Sequence, residues 1–221
     1  MITDERIVAY INSLDQGNSL FLNEIEEEAV RTRIPIIRRE MQNLLKLLLA
    51  MNQPQNILEV GTAIGFSALL MSEYAPKDCR ITTIEKYEKR IPIAKSNFAK
   101  AKKEDVITLL EGDATDILQQ LVAKQLNSDV VGYDFIFMDA AKGQYLNFLP
   151  DVLRLLNSGG LLVTDNVLQD GDIIESRFAI TRRNRTIHAR MRDYLYELMH
   201  HELLTTSILP VGDGVTVSVK K

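Results

Sequence analysis

Three short segments place chemically capable side chains where apolar runs end: Glu59-Val60-Gly61-Thr62-Ala63-Ile64-Gly65, Asp139-Ala140-Ala141-Lys142 and Thr164-Asp165-Asn166. Asp139, Asp165 and Asn166 offer two carboxylates and an amide oxygen, a hard-oxygen set suited to magnesium or a similar divalent ion whose shell water completes. Taken singly, Asp139 reads as well as a helix cap, and Asp165-Asn166 as an ordinary turn pair. Their joint occurrence at the ends of neighbouring strands favours the metal. Lys142 follows Asp139 in the same loop. Beside a cation it would be pushed toward its neutral form and could take a proton from an acidified hydroxyl; its plainer reading is a solvated surface lysine.

The glycine segment has a different chemistry. Gly61 and Gly65 let the backbone turn sharply and approach a ligand, but Ala63 stands where the nicotinamide fingerprint wants a further glycine. Glu85, ending the next apolar run, is placed to accept from ribose hydroxyls, and Gly112-Asp113-Ala114, ending the third, offers an acceptor to an adenine amino group. Acidic Glu59 and the lack of a phosphate-cradling lysine suit a cationic, phosphate-free nucleoside better than a pyrophosphate. S-adenosylmethionine fits that description.

The elements that must position these residues follow from periodicity. Apolar runs at 57–60, 80–84, 106–110, 133–138 and 160–164 read as strands alternating with four helices, the pattern of a parallel sheet with crossover helices. Before them, residues 1–52 read as helical, an appendage with Ile7, Ile11 and Leu14 on one stripe and Met41, Leu44, Leu45 and Leu48 on another, Pro35 opening the later helix. After Asp165 come a basic helix over 182–200 and two strands, 203–209 and 215–219, around the turn Gly212-Asp213-Gly214. The expectation is a single α/β domain over 1–221 with a terminal antiparallel hairpin.

The chain has 221 residues, 46% hydrophobic and 25% charged, as in a soluble globular domain, and no apolar run approaches a membrane span. A non-basic N-terminus and one cysteine, Cys79, point to a cytoplasmic setting. The net charge of -4 argues against indiscriminate nucleic-acid binding, so such a partner must be met by a patch. Arg177, Arg182, Arg183, Arg185, Arg190 and Arg192, with no acid among them, form one candidate, which Arg31, Arg33, Arg38 and Arg39 could extend. The same arginines read as well as the wet face of an amphipathic helix with Ile187, Met191 and Leu195 turned inward. The adjacent His200 and His201 diverge on a helix and do not read as a metal pair.

The turn from Glu59 to Gly65, the Asp139-Ala140-Ala141-Lys142 segment and Thr164-Asp165-Asn166 together resemble the divalent-metal-dependent O-methyltransferases of the catechol and caffeoyl-coenzyme A type. The resemblance runs from about Pro35 to the terminal hairpin. It implies a class I methyltransferase (Rossmann-like) fold with a seven-stranded, mostly parallel sheet, and a homodimer. Glu85 would hold the ribose and Asp113 and Ala114 the adenine. Glu59, Gly61 and Ser67 would serve the methionine end, with Ile37 nearby, and Asp139 would touch both metal and cofactor. Within the family, Leu58 to Ser67, Asp139 to Tyr145, Asp165 to Leu168, the arginine stretch and Pro210 to Gly214 are most similar to bacterial members that methylate 5-hydroxyuridine at the wobble position of the tRNA anticodon. Only the arginine stretch separates these from relatives acting on small phenols. The 5-hydroxyl and 4-carbonyl oxygens of 5-hydroxyuracil sit on adjacent carbons and can chelate a metal as a catechol does. An O-methyltransferase of small catechols or coenzyme A esters, and an RNA-binding module with a vestigial cofactor site, are the competing readings.

Overall fold

The computed structural model describes residues 2–127, 131–176 and 178–221, so Arg177 lies outside the described residues. The elements run α1 (Glu5–Ser13), α2 (Leu20–Thr32), α3 (Arg39–Asn52), β1 (Asn56–Val60), α4 (Phe66–Tyr74), β2 (Arg80–Glu85), α5 (Ile91–Lys100), β3 (Ile107–Glu111), α6 (Ala114–Asn127), β4 (Tyr133–Met138), α7 (Tyr145–Leu155), β5 (Leu156–Thr164), α8 (Arg185–His200), β6 (Leu204–Leu209) and β7 (Val215–Lys220). The strands form one sheet in the order β3-β2-β1-β4-β5-β7-β6. β1 to β5 are parallel, and β7 runs antiparallel to both β5 and β6. The order reverses beside β1, so a crevice opens past the carboxyl ends of β1 and β4.

Alternation along the strands divides the core into two layers. Ile57, Phe135 and Phe137 pack with Leu22, Met41, Leu45, Phe66 and Phe98 from the helices of one face. Leu58, Val60, Ile136 and Met138 pack with Leu118, Phe148, Leu149, Met191 and Tyr194 from the other. α2 and α3 therefore belong to the core and are no appendage; only α1 buries none of its residues. The strand expectations hold, except that β5 begins at Leu156. It does so because a register shift against β4 and left-handed Gly159, at φ 79°, absorb the irregular start. Two helix starts differ. α3 begins at Arg39, after Pro35 and an irregular stretch, and α8 begins at Arg185, since Arg182 and Arg183 lie in a turn closed by Asn184 N–H donating to Thr181 O at 2.8 Å. Among the described residues no helix is long and apolar enough to cross a membrane.

The amino ends of β1 and β4 are locked by one carboxylate. Asp134 Oδ2 accepts from the Gln55 and Asn56 amides at 2.9 and 3.1 Å, and Oδ1 accepts from Asn157 Nδ2 at 2.9 Å. Asp134→Ala removes the acceptor of all three donors and is expected to cost about 1.5–3 kcal/mol, the scale of a hydrogen bond to a charged group. Urea denaturation measures it; an unchanged midpoint would contradict the lock.

Candidate active site

A cavity of about 830 Å³ opens at the carboxyl ends of β1 to β5. Ile37, Gly61, Ser67, Glu85, Asp113, Ala114, Asp139, Lys142, Asp165 and Asn166 all line it. The sheet thus brings together every residue the sequence marked for cofactor, metal or base, with one exception.

That exception is Glu59. One residue short of the strand end, its side chain shares the parity of buried Ile57 and points into the layer behind the cavity wall. It is fully buried and accepts from the hydroxyls of Ser67 and Thr83. Thr83 in turn lies 2.5 Å from the Thr62 hydroxyl. Burial pushes the Glu59 carboxyl up to about 7, and the two hydroxyls hold it back. Glu59 therefore reaches the cavity indirectly, by fixing Ser67 and, through Thr83, Thr62.

The glycines at this end are dictated by contact. Gly61 sits at φ 109°, and a Cβ there would fall 2.1 Å from the Asp139 carbonyl oxygen. Gly65, at φ 86°, opens α4 against the Phe98 ring, where a Cβ would stand 2.5 Å away. The turn between them folds back on Glu85, whose carboxylate accepts the Ala63, Lys86 and Tyr87 amides at 2.8, 2.9 and 2.8 Å. A carboxylate offers about four lone-pair sites, so Glu85 is rigidly aimed and retains acceptor capacity. Asp113 caps α6 by accepting from Thr115 N at 2.9 Å, and its other oxygen takes Lys86 Nζ at 3.2 Å. The Thr115 amide holds its carboxyl below the usual range.

At the opposite wall, acids crowd. Asp139 and Asp165 follow directly on the paired residues Met138 and Thr164, so the β4–β5 register sets them side by side. Burial pushes Asp139 up to about 6, with Lys142 opposing and Asp213 adding to the rise. Asp165 rises to about 8, by burial first and then by Asp139. Buried Tyr145 donates its hydroxyl to the Ala140 and Asp165 carbonyls, each at 3.3 Å, tying the two loops together. Asn166, left-handed at φ 61°, donates its backbone amide to Asp165 Oδ1 at 2.7 Å. Its side-chain Nδ2 donates to Asp213 Oδ1 at 2.6 Å, which leaves the amide oxygen as its uncommitted end.

Asp213 was read from the sequence only as a turn residue. It is buried, and Oδ2 stands 3.6 Å from Lys142 Nζ, so one carboxylate orients both the amide and the ammonium. The available signal was an acid between two glycines in a turn at the same sheet edge as the other tips. Gly214, at φ 97°, permits the approach, because a Cβ there would meet Leu168 Cγ at 2.3 Å. Among the described residues no group of three or more His, Cys, Asp or Glu side chains is spaced to hold a metal. A hard ion here would rest on Asp139, Asp165 and the Asn166 oxygen, a set that suits magnesium, which keeps several waters. Two buried acids, the second pushed further up by the first, form a place where a cation is favoured.

The arginine stretch divides. Arg185 Nε donates to Ile180 O at 3.1 Å, Arg190 Nη1 to Gly143 O at 3.0 Å and Arg192 Nη1 to Ile173 O at 3.2 Å, holding loops around the site. Arg182 and Arg183 are exposed and make no hydrogen bond or ion pair with the described residues. Met191 and Leu195 turn inward as expected, whereas Ile187 stays 36% exposed because it lies over the 142–144 turn at the surface.

A family model described as O-methyltransferase matches residues 12–221. A catechol O-methyltransferase of Niastella koreensis is 37% identical over 131 residues, 59% of this chain and 58% of that protein, so the chain spans somewhat more than half of that relative. A caffeoyl-CoA O-methyltransferase of Medicago sativa is 32% identical over 78% of this chain and 70% of that protein. The crystal structure of an O-methyltransferase from Bacillus cereus in complex with SAH superposes with a TM-score of 0.83 at 25% identity, covering 98% of this chain and 97% of that one.

The buried acids also set a pH dependence. The Asp165 carboxyl, ordinarily at 3.8, is raised to about 8 in the fold, so the folded state binds the extra proton. That contribution to stability is complete below the ordinary value and lost as pH rises through about 8. Metal-free protein should therefore weaken between those limits, and Asp165→Asn should melt higher than the parent at the alkaline end. Calorimetry across that range checks it; a variant that melts lower throughout would contradict it.

Proposed function

The chain belongs to the O-methyltransferase family of the catechol and caffeoyl-CoA type, and from that premise we propose that it uses S-adenosylmethionine and a divalent ion such as magnesium to methylate the 5-hydroxyl of 5-hydroxyuridine at the tRNA wobble position. The observation that carries this is the continuity of one cavity, from the acceptors Glu85 and Asp113 at one end to Lys142, Asp139 and Asp165 at the other. Glu85 would hold the ribose and Asp113 the adenine, while Ser67, fixed by Glu59, meets the methionine end. Asp139, Asp165 and Asn166 would hold the ion, which when bound lowers the pKa of a chelated hydroxyl. Lys142 Nζ takes the proton of the substrate hydroxyl, and Asp213 keeps that amine in place. Aligning donor and acceptor in such a cleft can supply up to roughly 7–11 kcal/mol of the barrier.

The tRNA reading is supported by Arg182 and Arg183, exposed and without partners among the described residues, on the segment that leads from the site into α8. It carries with it a cytoplasmic setting. The homodimer is supported by α1, whose Ile7, Tyr10 and Ile11 are 53%, 66% and 49% exposed. A second reading, a small catechol or a coenzyme A ester as substrate, is favoured by the names of the two relatives.

Label from S-adenosylmethionine should reach the wobble uridine of tRNA taken from cells lacking that methyl group, and only with magnesium. Lys142→Ala should lower the rate about 10²- to 10⁴-fold, the range for a general base. The double change Arg182→Ala, Arg183→Ala should slow transfer to tRNA. Transfer to a catechol but never to tRNA would overturn the tRNA reading in favour of the second.

A further inference from the structure

The cavity mouth carries a cation that methyl transfer leaves unused. Of the four N-terminal arginines expected to extend a basic patch, Arg31 pairs with Glu28 and Arg39 with Glu26, and Arg33 ends α2 in a left-handed conformation. Only Arg38 lines the cavity. Its stem passes over Gly212, where an added Cβ would meet Arg38 Cδ at 3.7 Å, so the guanidinium stands beside the turn that holds Asp213. Nη2 donates to both oxygens of Asp170, at 3.0 and 3.3 Å. Nε and Nη1 bond to none of the described residues. The two side chains are 39% and 51% exposed, so the pair is solvent-screened and weak.

Asp170 belongs to a backbone that is itself under strain. Gln169, Asp170 and Gly171 have φ of 52°, 54° and 102°, three left-handed residues in succession, two of them not glycine. The Arg38 contact thus ties a strained turn to the N-terminal side of the mouth through one nitrogen and leaves Nε and Nη1 of a planar five-donor fork uncommitted among the described residues. The other cations lining the cavity are engaged elsewhere: Lys86 with Asp113, Arg90 over the Tyr87 ring and Lys142 with Asp213.

We propose that Arg38 is a phosphate-binding residue for the substrate, and that an entering phosphate takes the guanidinium from Asp170. A guanidinium fork matches phosphate bidentately, and a substrate whose reacting hydroxyl lies against Asp139 leaves its phosphate at the mouth. This rests on the O-methyltransferase reading. A phosphodiester of RNA and the phosphates of a coenzyme A ester share this chemistry.

The test titrates the full chain, saturated with S-adenosylhomocysteine, with a labelled anticodon stem-loop RNA containing 5-hydroxyuridine and, separately, with coenzyme A. Arg38→Ala should weaken one of these probes about tenfold or more, as loss of one charge-assisted contact does. Arg38→Lys should recover part of the loss, keeping the charge without the fork. Asp170→Asn, which removes the competing carboxylate, should bind as tightly as the parent or more tightly. Loss confined to the RNA assigns the phosphodiester, and loss confined to coenzyme A assigns the ester. Arg38→Ala and Asp170→Asn weakening both probes alike would show a merely structural strap and overturn the proposal. So would unchanged affinity in Arg38→Ala, or a parent protein that binds neither probe. Failure of the parent to bind S-adenosylhomocysteine would instead remove the methyltransferase reading and leave the probe comparison to judge Arg38.

Discussion

Side-by-side burial of Asp139 and Asp165 is the constraint around which the rest of the site is arranged. Strand pairing creates it: the Asp139 amide donates to Val60 O and the Asp165 amide to Met138 O, each at 3.0 Å, so each acid emerges one residue past a fixed register. Burial in a low-dielectric wall raises both carboxylates toward their neutral forms, and the charge of Asp139 raises Asp165 further. The Asn166 amide eases the rise at Asp165 and Arg90 eases it at Asp139, but neither removes it. Lys142 opposes the rise of both acids, but it lies against Asp213, whose own charge adds to it. The site stores an electrostatic deficit that a divalent cation would remove.

Other features read as consequences of keeping that wall in place. Gly61 must lack a side chain because the Asp139 carbonyl occupies the space. Tyr145 is buried between the two acid-bearing loops and joined to both. Arg190 and Arg192 secure the 142–144 and 169–174 turns from α8. On the cofactor side, Glu59 and Glu85 have the same side-chain chemistry and opposite tasks. One lies inside the wall and organises hydroxyls; the other is held by three backbone amides with acceptor capacity left for a ligand.

The strands, their order of alternation with helices and most cavity residues were legible because they depend on local pattern. Strand tips are found from where apolar runs end, and ligand positions follow from the tips. What escaped depends on contacts between distant segments. The role of Asp213 arises because β7 lies between β5 and β6, which brings the last turn onto Asn166 and Lys142, and no local pattern announces that. The direction of Glu59 could have been found by parity, since it shares a face with Ile57 and not with Val60. The arginine stretch looked uniform because its partners are backbone carbonyls of loops, which sequence composition does not display. α2 and α3 seemed peripheral because their apolar stripes do not reveal which layer receives them.

Calorimetric titration of magnesium into the metal-free protein, in buffers of differing ionisation enthalpy, tests the central claim most directly. If the ion occupies the Asp139–Asp165 wall, binding must release protons near neutrality and tighten as pH rises, because both carboxylates must ionise to serve as ligands. Asp165→Asn should abolish the proton release together with the binding. Magnesium binding that is independent of pH and buffer, or that survives in Asp165→Asn, would contradict the account.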